Sequence, residues 1–180
     1  MFKSTVLCAI LAMGTVGAAS AATIDFDSVP NPTPTPLVIG VFEFDVARIV
    51  SGNCATTGGG CIALNKNETT TITRVGGGTF SLVSMWYQLL GNGTGEELRV
   101  TTTGPAGTFD LAGAHNVGID YMFSSLFQNI TSVTFADING GDVRIDNLNL
   151  VPSQVPVPAA AGMLALALGG LGVAGRRKKA

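Results

Sequence analysis

Residues 130–150 read ITSVTFADINGGDVRIDNLNL. Val133 and Phe135 alternate with polar neighbours, and Val143 and Ile145 do the same after the break. Period-two alternation is the mark of a half-buried strand. Between the two runs stands Asn139-Gly140-Gly141-Asp142. Asn and Gly tolerate positive φ, so a tight hairpin turn is expected there. Working outward, the same short-run pattern recurs. Strands are expected at 117–123, 97–103, 79–90, 69–75, 37–50 and 23–26, with Gly40 as a bend inside 37–50. Proline at every second position through 32–36 marks an extended loop, because proline gives a sheet no ladder donor. Residues 124–128 are short enough for a single helical turn. Eight or nine short strands with little helix indicate an all-β chain, an antiparallel β-sandwich of the jelly-roll kind.

The two ends follow other rules. Lys3 precedes an apolar run at 6–16, and Ala19-Ser20-Ala21 is a small-x-small site followed by Ala22. That is the layout of a secretory signal peptide, at 1–22, cleaved after Ala21 or Ala22. The run is too short to span a bilayer, which takes about 20 apolar residues. At the other end, Val155-Pro156-Val157-Pro158-Ala159 closes a Pro-rich linker at 152–158. Residues 159–175 are wholly apolar or small, and Arg176-Arg177-Lys178-Lys179 follow in a basic tail at 176–180. Cations flanking a hydrophobic segment stay on the cytoplasmic side, so the tail reads as a transmembrane handle with the 23–151 domain outside. A short, Gly/Ala-rich segment holds weakly and is open to a processing enzyme, as in other removable tails.

The tripartite tail resembles the PEP-CTERM sorting domain, in the variant whose motif reads Val-Pro-Leu-Pro-Ala. Val157 replaces the usual Leu, a conservative departure, and Gly169-Gly170-Leu171-Gly172 lies in the apolar part. The resemblance implies an exosortase-type membrane protease cutting near Pro158-Ala159. It also implies a transient inner-membrane anchor, then release to the cell surface or medium, often alongside exopolysaccharide. The middle resembles carbohydrate-binding jelly rolls. The carrying residues are Thr23-Ile24-Asp25-Phe26-Asp27, Phe80-Ser81-Leu82, Val133-Thr134-Phe135 and Ile145-Asp146-Asn147-Leu148. That resemblance implies a structural calcium.

The whole chain carries a net charge of −2. Removing both ends takes away Lys3 and the four C-terminal cations. Five cations then face twelve carboxylates, a net charge of −7. So acidic a domain argues against nucleic acid, whose phosphates need a basic face. Cys8 falls in the signal, which leaves Cys54 and Cys61. Two cysteines in an oxidising compartment are expected to pair. Closing so short a loop stabilises by about 2 kcal/mol in the chain-entropy model.

No catalytic constellation stands out. His115 is the single histidine and sits in a turn-like Gly113-Ala114-His115-Asn116, as a surface residue. Glu96 and Glu97 are adjacent and would point to opposite faces of a strand. The chain is therefore read as non-enzymatic. Hard cations want clustered oxygens, which makes Asp25, Asp27, Asp142 and Asp146 candidate calcium ligands. The same carboxylates read equally as turn caps. Trp86 and Tyr87 offer rings for sugar stacking. As strand neighbours they face oppositely, so one is expected in the core. The leading reading is an exported matrix protein associated with exopolysaccharide; a carbohydrate-binding module of defined specificity is the alternative.

Overall fold

The computed structural model describes residues 20–30, 33, 35–45, 48–91 and 97–153. The fold is carried by Ala19–Gln154. The signal core, the sorting motif at 155–159, the apolar run and the basic tail lie outside the described residues, as do any helices flanking the domain.

Twelve strands are present among the described residues. They are β1 (Ala22–Ile24), β2 (Leu37–Ile39), β3 (Phe42–Phe44), β4 (Ile49–Val50), β5 (Cys61–Leu64), β6 (Thr69–Arg74), β7 (Phe80–Leu90), β8 (Glu97–Thr102), β9 (Thr108–Leu111), β10 (Gly118–Met122), β11 (Ser132–Ile138) and β12 (Asp142–Pro152). They form two six-stranded antiparallel sheets. Sheet A runs β10-β7-β12-β5-β4, with β1 also on β12; sheet B runs β2-β3-β6-β11-β8-β9. The pairings β5–β12, β6–β11, β7–β10 and β8–β9 nest inside one another and alternate between sheets. That nesting is jelly-roll winding, an antiparallel ribbon folded across itself.

The expected hairpin at 139–142 is corrected by this topology. Asn139 (φ 70°) and Gly140 (φ 96°) do take the positive-φ turn. Yet β11 and β12 belong to different sheets, so the turn carries the chain across the sandwich. Val133, Phe135, Val143 and Ile145 are all fully buried. Two strands with apolar faces bury more by facing each other through a core than by lying side by side with one face wet.

Two further corrections concern short elements, and one expectation is met. The single strand expected at 37–50 is three strands, because Gly40 (φ 60°) and Val41 turn the chain between paired Ile39 and Phe42, and β4 joins the other sheet. Strands β5 and β9 were not foreseen. Each has four residues and follows a glycine-rich turn, so neither offers enough alternation to show a period. The single turn expected at 124–128 is a 3-10 turn over Ser125–Phe127, with the Ser124 hydroxyl accepting the Leu126 N–H at 3.4 Å.

Edge-to-face aromatic pairs fill the core, Phe26 on Phe44 at 5.5 Å and Phe42 on Phe80 at 5.4 Å. A second aromatic group closes the side between edge strands β9 and β10. There Phe109 packs on Phe127 at 5.1 Å and Tyr121 on Phe123 at 4.9 Å.

Candidate functional site

Trp86 and Tyr87 part as alternation requires. Tyr87 is 2% exposed, and its hydroxyl donates to the Ala112 carbonyl at 3.1 Å. Burial, then the nearby Tyr121 phenol, pushes its pKa up. Tyr87 is a core residue, which removes it from the ring platform. Trp86 is half-buried and points out of sheet A. Pairing register sets Asp120, Trp86 and Asp146 in one row across β10, β7 and β12, with Gly118, Gln88 and Arg144 in the next. The indole lies across Gly118: a Cβ there would meet Trp86 Cζ2 and Nε1 at 2.5 Å. Glycine at 118 thus lets the ring lie down over the neighbouring strand. Sequence reasoning singled out Trp86 but had no signal for Gly118, which only the cross-strand register reveals.

The flank of this face towards β12 is roofed by the disulfide loop. Cys54 and Cys61 are bonded as expected, with their Cα atoms 5.5 Å apart. Two carboxylates hold the loop down. Asp27 Oδ1 accepts the Gly60 N–H at 2.8 Å. Asp146 Oδ2 accepts the Ala55 N–H at 3.2 Å, and its Oδ1 accepts the Asn147 N–H at 2.8 Å. Asp146 is 1% exposed. Burial raises its pKa to about 6, against the pull of those two N–H donors and with added repulsion from Asp27 and Asp25.

The four candidate calcium ligands are not brought together. Asp142 Oδ2 lies 3.6 Å from Arg144 Nη2. Asp25, Asp27 and Asp146 interact electrostatically, but the described residues hold no group of three His, Cys, Asp or Glu that could hold a metal ion. Asp27 and Asp146 serve instead as caps for backbone N–H groups. His115 lies in a turn, as expected, but is half-buried and not a fully surface residue. Glu97 lies half-buried on β8; Glu96 lies outside the described residues.

Burial also lowers the pKa of Arg144, partly offset by Asp142, while Arg48 lowers it further. Two clefts lie away from Trp86. One of about 370 Å³ runs between 23–30 and 37–40, and one of about 350 Å³ lies beside Lys66, Leu90 and Asp142. Trp86 lines neither cleft.

The raised carboxyl gives a pH prediction. A folded-state value of about 6 exceeds the unfolded value near 3.9, so the folded chain holds the proton more tightly. Stability from this group grows as pH falls from 6 towards 4 and is lost as pH rises through about 6. Thermal melts are expected to give a higher Tm at pH 5 than at pH 7.5, and Asp146→Asn should flatten the difference. A wild-type Tm that falls between pH 7.5 and pH 5 would contradict this.

No protein-family model and no curated protein sequence matches the chain. The chain is similar to solved structures that include three carbohydrate-binding modules. The xylan-binding CBM22-1 domain of Paenibacillus barcinonensis Xyn10C is 8% identical, with a TM-score of 0.43 over 77% of this chain and 97% of that one. A lysine-to-alanine mutant of the family 29 module CBM29-2 is 16% identical, with a TM-score of 0.44 over 76% and 93%. TmCBM61, solved with β-1,4-galactotriose, is 11% identical, with a TM-score of 0.37 over 62% and 88%.

Proposed function

We propose that this domain binds carbohydrate on the outer face of sheet A, with Trp86 as the stacking platform. The observation that supports it is the half-buried indole lying over exposed Gly118 on the outer face of sheet A. An indole so placed offers its π-face to the C–H groups of a sugar ring. Around it, exposed Asp120 accepts hydrogen bonds and half-buried Ser84 both donates and accepts, the chemistry that sugar hydroxyls need. Nothing in this arrangement acts on a bond, and the reading is of a non-catalytic binding domain.

The test is a glycan array probed with the full chain. Binding to one or more polysaccharides is expected, with at least a ten-fold loss of affinity in Trp86→Ala at an unchanged melting temperature. Stacking on an aromatic side chain is worth about 1–3 kcal/mol per ring in comparable settings, which is the source of that figure. Binding that survives Trp86→Ala undiminished would rule this face out.

We propose further that the domain is exported, held briefly by residues 159–175, and released by an exosortase-type protease at Pro158-Ala159 into a polysaccharide-containing matrix. The motif order Val155-Pro156-Val157-Pro158-Ala159, apolar run, Arg176-Arg177-Lys178-Lys179 supports it. Intact mass of the protein from the native cell surface and medium tests it. A mass for 23–158, two hydrogens light for the disulfide, is expected; a mass retaining 159–180 would overturn release.

A further inference from the structure

Residues 23–158 hold five cations, Arg48, Lys66, Arg74, Arg99 and Arg144. Two of them are engaged elsewhere. Arg99 Nε and Nη2 donate to the two oxygens of Asp110 at 2.8 and 2.9 Å, a bidentate fork on sheet B. Arg74 Nη1 donates to the Thr79 and Ser153 carbonyls at 2.9 and 3.0 Å. The other three flank one strand, β5. Arg144 pairs with its Ala63, the Arg48 carbonyl accepts the Ala63 N–H at 2.8 Å, and Lys66 follows its end. Positive charge is thus concentrated on one flank of an acidic domain.

Arg144 and Arg48 also lie in line with the Trp86 ring. Gly118, Gln88, Arg144 and Ala63 pair in one row from β10 to β5, and Arg48 stands beside Ala63 at its far end. The indole covers the Gly118 end of that row. With strands about 4.8 Å apart, Arg144 is about 5 Å and Arg48 about 14 Å from β7 across the sheet. The disulfide loop is tied to Asp146, in the neighbouring row.

The charge of this arginine pair is incompletely met. Arg144 is 9% exposed. Its Nη1 donates to the Val143 carbonyl at 3.1 Å and its Nη2 stands 3.6 Å from Asp142 Oδ2. Its buried Nε has no hydrogen-bond partner among the described residues. Nε and Nη2 form the edge that Arg99 fills with Asp110; on Arg144 the nearest described carboxylate stands beyond hydrogen-bond distance of that edge. Arg48 is exposed, donates through Nη2 to Asn65 Oδ1, and has its Nε 4.0 Å from Glu68 Oε2. It lies close enough to Arg144 to oppose that residue's charge. Two neighbouring guanidiniums, one of them buried, carry a free-energy cost that a shared anion offsets.

We propose that the bound polysaccharide is anionic, with uronate carboxylates taken by Arg48 and Arg144 in line with the Trp86 ring. The inference rests on the reading of the outer face of sheet A as a glycan platform. A planar carboxylate matches the guanidinium fork, as Asp110 does on Arg99. Nucleic acid needs cations along its whole backbone. A uronate chain, with its charges on separate sugars, needs only a pair of them beside the stacked ring.

The experiment titrates the full chain, oxidised so that Cys54 and Cys61 are bonded, with polygalacturonate, polymannuronate and polyglucuronate. Each is compared with its carboxyl-reduced form, the same chain with a primary alcohol in place of the acid. At least one uronan is expected to bind about ten-fold more tightly than its reduced form, the size of a charge-assisted hydrogen bond. Arg48→Gln should shrink that preference several-fold and leave binding of the reduced form unchanged; Arg48 is exposed, so this variant does not depend on the core. Arg144→Lys keeps the charge, loses the fork, and should also shrink the preference. Arg99→Gln should leave it where it was, which separates the site from net charge. Reduced chains that bind through Trp86 as tightly as every uronan would overturn the inference and leave the platform standing. A uronan preference that survives both Arg48→Gln and Arg144→Lys would overturn it too. Absence of binding to any glycan, charged or reduced, would overturn the platform and the inference with it.

Discussion

Gly60→Ala is expected to lower stability by about 3 kcal/mol, the upper end of the range for overpacking a filled site. Gly60 is buried, and a Cβ on it would lie 2.4 Å from the Phe26 carbonyl oxygen and 3.1 Å from Ile49 Cγ2. The first of these is backbone, which cannot swing aside. Phe26 is itself unusual, a bulky residue at φ 58° in the left-handed region. Its ring is 1% exposed and packs on Phe44, so the strained backbone is held by core burial. Gly60 N–H also donates to Asp27 Oδ1, so pushing the strand away from Phe26 breaks a second tie. For a domain of this size the loss corresponds to a drop in Tm of roughly 10 °C. Gly52→Ala serves as the control: a Cβ there meets nothing within 4 Å, and the melt should move little. A Gly60→Ala melt within 2 °C of wild type, taking roughly the error of such scans, would show that the loop does not press on Phe26.

Gly118→Ala is expected to cut glycan affinity about ten-fold while keeping every aromatic ring in the protein. The new Cβ would sit 2.5 Å from two indole atoms. An indole is rigid, so the ring must rotate about the Trp86 side-chain torsions and lift off β10. Gly118 is exposed, so the fold has room to absorb the change. Isothermal titration with the polysaccharide found on the array measures the effect. Trp86→Ala tests whether the ring is needed; Gly118→Ala tests whether its placement is needed. Full affinity in Gly118→Ala together with loss in Trp86→Ala would mean that any exposed ring at this point suffices.

Alternation made most strands legible. Val133, Phe135, Val143 and Ile145 all point into the core as their spacing says. The disulfide was legible from cysteine count and compartment. The separation of Trp86 from Tyr87 followed from strand geometry, though which of the two faced outward did not. Both faces of β7 carry large side chains, and the pattern alone gives them equal claim. Strands β5 and β9 were hidden by their length. In β5 all four residues are buried, because the disulfide loop covers what would have been its wet face.

The sequence by itself determined that the chain is built from short antiparallel strands, that two cysteines are left to pair, and that the segments outside the domain differ from it in kind. These follow from local chemistry: side-chain period, turn residues, composition. Tertiary structure alone decided that β11 and β12 face each other across the core, since a turn at Asn139-Gly140 serves a hairpin and a crossover equally well. It decided that Asp146 lies near enough to Asp25 and Asp27, from the far end of the chain, to be repelled by them. It also decided that Gly118 lies under Trp86. Each of these depends on register between strands far apart in sequence, and register is set by the sum of core contacts, which no local stretch contains.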